Sequence, residues 1–300
     1  MKKFLAIHAI FLAAIGAAAR ADTLASSNFA TDPTNGDPRF TYSATDQSLT
    51  AHYDTALPTD KLLFPLAHSL TAEDSFTLSA ALTIHSANFF ADPNGFAQIS
   101  FGLVNSSTTG NDRSGGVPDG TTFGSDGNAY DSVTVDYFPN ISPFFDSPTL
   151  SPTVITSQTG TETEGAFSDL NSVFGAESEL DGPGESPLPL DTPLTATLTY
   201  DASSRLFTLQ LASASGPLLI DAGGDEDGDS STIQMTLPAG VDFNVDSFAI
   251  PLWTDSYAFD GPSVVADVTY SSFSVTTAAP EPASLGFVSL AGMLLLQRRR

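Results

Sequence analysis

Apolar and polar residues alternate with a period of two along most of the chain. Phe76, Leu78, Ala80, Leu82 and Ile84 fall on one side of an extended segment, and Thr77, Ser79, Ala81, Thr83 and His85 fall on the other. Such a pattern predicts a strand with one face in a core and one in water. Leu194, Ala196, Leu198 and Tyr200 alternate with Thr195, Thr197 and Thr199, and the pattern resumes at Phe207, Leu209 and Leu211. With Asp201 to Ser204 as the turn, this pair predicts a hairpin. Further strands are expected at Ser48 to Tyr53, Lys61 to Leu66, Phe96 to Val104, Ser132 to Phe138, Pro152 to Ser157, Thr232 to Leu237, Val245 to Trp253 and Val264 to Val275. In the last, Val264, Ala266, Val268 and Tyr270 share a face and Phe273 and Val275 follow one residue out of phase. A bulge near Ser271-Ser272 restores the inward set.

No segment of the body shows a 3.6-residue stripe. Only Ala166 to Phe174 reads as a turn or two of helix. Many strands with Gly, Pro, Asp and Ser between them predict an all-β body, a two-sheet antiparallel jelly-roll sandwich. Two long segments, Asn105 to Tyr130 and Gly160 to Asp191, lack strand pattern, and loops of that length are either functional or disordered.

The two ends differ from the body. Lys2 and Lys3 precede an apolar run from Phe4 to Ala18, and Ala19-Arg20-Ala21 is a small-x-small site. This is the form of an export signal, a short helix cleaved before Asp22; a retained N-terminal anchor is the alternative. At the other end Pro280-Glu281-Pro282 precedes an uncharged segment from Ala283 to Gln297 and a final Arg298-Arg299-Arg300. As a helix the segment spans ~22 Å, short of a ~30 Å hydrocarbon core, and the arginines hold its end on the cytoplasmic side. The chain therefore divides into a signal at 1–21, one β domain at 22–277 and a tail at 278–300.

This ending resembles the PEP-CTERM sorting signal of exported bacterial proteins. Pro280, Glu281 and Pro282 match its motif, and the short hydrophobic helix and the Arg cluster follow in order; Ala279 stands where the family often has Val. The resemblance implies processing near the motif by an exosortase. It also implies transient membrane contact through the tail and a final place at the cell surface or in the extracellular matrix, often with extracellular polysaccharide. A plain C-terminal membrane anchor is the alternative.

The body resembles the concanavalin-A-like lectin/glucanase sandwich. The stretches that carry the resemblance are Lys61 to Leu66 followed by Asp74 to Ala80, then Phe101-Gly102-Leu103, and the closing Asp267 to Val275. It implies two antiparallel sheets of about twelve strands in all.

Charge narrows the partners. The 300 residues hold 35 acidic and 10 basic side chains, a formal net charge of -25. Six of the basic residues lie in the end segments, which leaves Arg39, Lys61, Arg113 and Arg205 in the body. So acidic a body is repelled by phosphate backbones, which excludes nucleic acid as a partner. A hydrophobic content of 41% with 22 Phe argues against a disordered acidic chain. With no cysteine, disulfides, thiolate catalysis and Cys-ligated metals are excluded.

Candidate chemistry is sparse. Glycoside hydrolysis needs two carboxyl groups at a defined separation. Glu162/Glu164 and Glu177/Glu179/Asp181 have i, i+2 spacing, but they sit in Gly-, Ser- and Thr-rich acidic stretches that read as solvated loops. No catalytic residue is assigned. His52, His68 and His85, the histidines of the mature chain, read as surface or strand-edge residues. Asp225, Asp227 and Asp229 place hard oxygen ligands at every second position, as in the first half of a calcium loop. Ser230 and Thr236 stand where such a loop has Gly and a bidentate Glu, so a solvated hairpin tip is the competing reading. Trp253 and Tyr257 flank Thr254-Asp255-Ser256 and offer either a carbohydrate platform or a core aromatic with its loop. The expectation is an exported, non-enzymatic surface protein that associates with polysaccharide, with calcium as its possible ion; the alternative is a glycan-processing enzyme on the same sandwich.

Overall fold

A computed structural model describes residues 21–54, 60–87, 99–107, 131–138, 149–156, 171–174, 178–179, 188–221, 229–252 and 265–277. Both expected terminal helices lie outside these residues. Among the described residues no helix is long and apolar enough to cross a membrane.

The strands, in chain order, are β1 Thr23–Ser27, β2 Phe40–Ser43, β3 Ser48–Asp54, β4 Asp60–Thr71, β5 Phe76–Ala87, β6 Ile99–Val104, β7 Ser132–Phe138, β8 Thr149–Thr156 and β9 Asn171–Phe174. They continue with β10 Ser178–Glu179, β11 Leu194–Asp201, β12 Leu206–Ser213, β13 Gly216–Pro217, β14 Ile220–Asp221, β15 Asp229–Ser230, β16 Ile233–Thr236, β17 Asn244–Leu252 and β18 Val265–Thr277. They form two antiparallel nine-stranded sheets. The first runs β13-β12-β11-β5-β18-β3-β2, with β1 beside β18 and β16 beside β12. The second runs β15-β14-β10-β8-β7-β6-β17-β4, with β9 beside β8.

The inner faces of both sheets meet in one apolar core. From the first sheet come Phe76, Leu78, Leu198, Tyr200, Phe207, Val268, Tyr270, Phe273 and Val275, the alternating residues of β5, β11, β12 and β18. The second contributes Phe101, Leu103, Val133, Val135, Val154, Phe248 and Ile250. Phe248 of the second sheet stacks on Phe273 of the first, with ring centroids 3.9 Å apart and planes 13° from parallel. Buried phenols find partners across the core. Tyr53 donates to the Ser100 carbonyl at 3.2 Å, and its oxygen lies 2.9 Å from that of Tyr270. Burial pushes both phenols well above their ordinary value of 10.0.

The predicted hairpin is present, with β11 and β12 paired from Leu194↔Ser213 to Asp201↔Leu206. The phase change in β18 is also present: its register against β5 shifts between Tyr270 and Ser272, which returns Phe273 and Val275 to the core. Two expectations fail. Asn171–Phe174 is a strand rather than part of a helical turn, because β8 supplies a partner and pairs Val154 with Val173. Tertiary pairing overrides a weak local preference there. Glu179, expected in a solvated loop, lies in β10 and pairs with Thr149 of β8. The segment from Gly160 to Asp191 thus contributes two short strands, and the strands described exceed the dozen implied by resemblance.

Candidate functional site

The outer faces of the two sheets are where chemistry can sit, and they differ. On the first sheet the outward residues of β5 and β11, such as Thr77, Ser79, Thr195, Thr197 and Thr199, reach solvent. On the second sheet residues 99–104, 132–137 and 150–156 are all buried, so both faces of β6, β7 and β8 are closed to water.

The closed outer face is polar. Register places Ser100, Asp136 and Ser151 in one cross-strand row, Gly102, Thr134 and Thr153 in the next, and Val104, Ser132 and Ile155 in a third. Ser100 Oγ donates to Asp136 Oδ1 at 2.7 Å, and Asp136 has no exposed surface. Among the described residues the hydroxyls of Ser132, Thr134, Thr153 and Thr156 are buried without a hydrogen-bond partner. A hydroxyl sealed in this state costs about 1–3 kcal/mol, so four of them are a demand for an acceptor, a donor or water. Gly102 has a mechanical reason. A Cβ there would come within 2.4 Å of the Val133 carbonyl oxygen and 2.6 Å of the Thr134 Cα, so β6 and β7 approach too closely for any side chain.

Lys61 enters the same sheet at β4, where burial lowers its ammonium below the ordinary value and Asp60 partly restores it. Arg39 donates to Asp37 at 2.8 Å and also pairs with Asp60, tying the lead-in of β2 to the first residue of β4. The guanidinium hydrogen bond holds the Asp37 carboxyl below its usual range.

Two histidines, His52 and His85, lie on the open face of the first sheet. His52 Nδ1 donates to Asp267 Oδ1 at 2.6 Å and Nε2 lies 2.8 Å from Thr41 Oγ1. His85, the extra residue at the Asp267–Val268 register shift, lies 2.9 Å from Asp191 Oδ1 through Nδ1 and 2.9 Å from Thr269 Oγ1 through Nε2. Thr269 also meets Thr50 at 2.8 Å. Each chain has hydroxyl–imidazole–carboxylate connectivity. The His52 and Asp267 side chains are 34% and 37% exposed, however, and such relays need a water-excluded site to act on substrate. His68 is exposed on β4, as expected for a strand-edge residue.

Of the residues expected to bind ligand, Asp229 is described and begins β15. Register runs from Asp229 to Asp221 of β14 and from Asp221 to Glu179 of β10, three acidic residues paired across adjacent strands. Among the described residues no group of three or more His, Asp or Glu side chains is arranged to hold a metal. Asp225, Asp227, Trp253 and Tyr257 lie outside the described residues, as do Glu162, Glu164, Glu177, Asp181, the Ala19/Ala21 site and the Pro280, Glu281, Pro282, Arg298, Arg299 and Arg300 tail. Asp136 and its row of hydroxyls escaped the sequence reading. The available signal was that β6 and β17 carry near-unbroken apolar or small residues, the mark of strands covered on both sides.

No protein-family profile matches the chain, and no curated protein matches it in sequence. Among solved structures it is similar to a seed lectin of Lotus tetragonolobus, at 15% identity over 86% of this chain and 100% of the lectin, TM-score 0.43. It is also similar to the exoplasmic/lumenal domain of VIP36 in its Ca2+/Man-bound form, at 10% identity over 87% and 93% of the two chains, TM-score 0.43. A third is the marine PL7 alginate lyase AlyA1 of Zobellia galactanivorans, at 14% identity over 83% and 84%, TM-score 0.36.

Proposed function

We propose that the chain is an exported protein of the cell surface or extracellular matrix that holds extracellular polysaccharide without turning it over. The observation that supports binding is the polar outer face of the second sheet. One carboxylate, Asp136, and unpartnered hydroxyls of Ser132, Thr134 and Thr153 share that face. Sugar hydroxyls both donate and accept and so match the chemistry of this set, but Ser132, Thr134, Asp136 and Thr153 are at most 1% exposed, so a glycan meets them only where the cover over that face gives way. Export rests on the signal at 1–21. Sorting rests on Pro280-Glu281-Pro282, the uncharged apolar segment after it and the terminal arginines, with an exosortase as the processing partner.

Calcium is the proposed ion. Its proposed ligands are Asp225, Asp227 and Asp229, which alternate in sequence as hard oxygen ligands do, and the backbone register of β10, β14 and β15 aligns Glu179, Asp221 and Asp229 on successive strands. A melting temperature unchanged by excess calcium or chelator removes it. The binding test is affinity electrophoresis of the purified protein through gels containing the host's extracellular polysaccharide. Retardation is expected, and it weakens in the double variant Thr134→Val, Thr153→Val. No retardation, with or without calcium, overturns the reading. Sorting is checked by fractionation: recovery in the cytoplasm alone overturns it.

A glycan-processing enzyme is the second reading. Glu179 and Asp221 are cross-strand partners, and such pairs have Cβ atoms about 5 Å apart, a spacing from which two carboxyl groups can flank a glycosidic bond. Reducing-sugar release abolished by Glu179→Gln would establish it; inactivity over a broad polysaccharide panel would remove it.

A further inference from the structure

The first and last strands of the body close one sheet together. β1 lies antiparallel to β18, from Thr23↔Thr276 to Ser27↔Phe273, and among the described residues β18 is the only strand paired with it. β18 itself runs inside the first sheet, with β5 along one edge and β3 and then β1 along the other. The pairing ends in a clasp at Asp22. Its backbone N–H donates to Thr277 Oγ1 at 3.2 Å, and its carbonyl accepts from the Thr277 N–H at 2.9 Å. Leu24 is buried in the core, and just past β1 the buried ring of Phe29 lies 6.1 Å from that of Phe64 and 6.2 Å from that of Phe273.

Asp22 is also the residue at which the mature chain begins once a signal at 1–21 is removed, and the inference below rests on that reading and on the sorting tail. A peptidase takes its substrate as an extended strand whose backbone bonds go to the enzyme. It cuts a folded protein only through the fraction in which that stretch has opened. Cutting before Asp22 therefore needs Asp22 to Ala25 lifted from β18, which breaks both bonds to Thr277 and takes Leu24 out of the core. The other end is placed differently. β18 is paired as far as Thr277, and the four residues Ala278 to Glu281 stand between it and Pro282. They fill an extended stretch ahead of a cut at the motif without lifting β18. Topology also sets when β1 can dock. Its partner is the last strand of the body, so the bond before Asp22 stays open while residues 22–277 are exported and is shielded only after Thr277 has crossed.

We propose that docking of β1 on β18 separates two processing steps: hydrolysis before Asp22 acts on the open chain, and processing at Pro280-Glu281-Pro282 acts on the closed body. The hydrolysis consumes one water and leaves a carboxylate on Ala21 and an ammonium on Asp22. That ammonium still donates to Thr277 Oγ1, now with a charge that strengthens the bond, so removal of the signal favours closure. A chain that closes uncut keeps its N-terminal apolar run.

The test uses the purified full chain and a signal peptidase in detergent, with products read by N-terminal residue and mass. Chain diluted from urea directly into the peptidase is expected to be cut before Asp22, and chain refolded beforehand to be cut about a hundredfold more slowly. Thr277→Pro removes both hydrogen bonds at Asp22 and no core side chain; once refolded it is expected to be cut about tenfold faster than refolded wild type. Ser26→Cys with Ser274→Cys joins two opposite residues outside the core, in a chain with no other cysteine. Its oxidised, refolded form is expected to be cut more slowly than wild type, with the wild-type rate restored by reductant. If Thr277→Pro fails to refold, the disulfide variant decides. Refolded chain given to host membranes is expected to lose its tail at least as fast as freshly diluted chain. Equal cutting before Asp22 in refolded and freshly diluted wild type overturns the proposal. So does a wild-type rate in both refolded variants, or loss of the tail from freshly diluted chain alone. No cut before Asp22 in either form removes the signal reading itself, and no loss of the tail from either removes the sorting reading; the inference falls with each.

Discussion

Along β5 and β11 every second residue meets water, whereas along β6, β7 and β8 none from Ile99 to Val104, Ser132 to Tyr137 or Leu150 to Thr156 does. Both sets of strands alternate apolar and polar residues on the same principle, and both send their apolar residues into one core. The threonines of the first sheet leave their hydroxyls in solvent, which satisfies them at no cost to folding. Those of the second sheet take their hydroxyls out of solvent, and with Ser132 four such hydroxyls find no partner among the described residues. A polar residue on a solvated face says little about function. The same residue on a sealed face lowers stability unless something meets it, so that is where a ligand is worth seeking.

The comparison requires a single shared core, and the largest expected effect tests that. Phe273 of the first sheet stacks on Phe248 and lies 4.8 Å from Phe64, both of the second. Phe273→Ala is expected to cost about 3–5 kcal/mol, read from urea unfolding at constant m. A loss below ~1 kcal/mol would mean that the sheets do not stabilise each other through this stack.

Gly102 sharpens the contrast between the outer faces. Gly102→Ala drives a methyl into the backbone of β7 and is expected to cost roughly 2 kcal/mol or more. Ser79→Ala on the solvated face is expected to stay within ~0.5 kcal/mol of wild type. Equal effects would show that the second sheet yields at β6–β7 as readily as water yields at β5.

What the sequence made legible follows the same division. Strands with one solvated face, such as Phe76 to Ile84 and the hairpin around Asp201 to Ser204, announce themselves by alternation, and even the bulge in β18 is written in the phase slip before Phe273. The second sheet was legible as strands but not as a site. Ser132, Thr134 and Asp136 alternate with Val133, Val135 and Tyr137, which on a lone strand reads as polar residues facing water. Only tertiary structure closes that face. The two-residue strands β10, β14 and β15 were not legible, because two residues have no period. Glu179, Asp221 and Asp229 become neighbours through pairing alone.

The next effect is smaller and has a sign. Thr134→Val keeps the shape of the side chain and removes a buried hydroxyl that has no partner among the described residues. The free protein is expected to gain about 1 kcal/mol, seen as a higher melting temperature, while losing retention on polysaccharide. A loss of stability instead would mean that ordered water already meets the hydroxyl, and the sealed face would then make no demand for a ligand.

The smallest expected effect lies where charge rather than packing joins the two sheets. Arg39 bridges Asp37, ahead of β2 in the first sheet, and Asp60, at the start of β4 in the second. The guanidinium holds the Asp37 carboxyl below its ordinary value of 3.8. A carboxyl depressed in the folded state adds stability that is complete above the unfolded value and is lost as pH falls through the folded one. The bridge therefore contributes at pH 5 and fades below about pH 4. Arg39→Ala is expected to cost no more than about 1 kcal/mol at pH 5, and the difference from wild type in melting temperature should shrink steadily toward pH 2.5. Asp32 and Asp201, held low by hydrogen bonds from Thr34 and from Ser204 and Ser203, still titrate in the variant, so its stability also falls with acid. What distinguishes the bridge is the convergence of the two curves. A constant gap between them would mean that Arg39 acts through the packing of its side chain, and that the sheets are joined by apolar contact at their edge as well as at their centre.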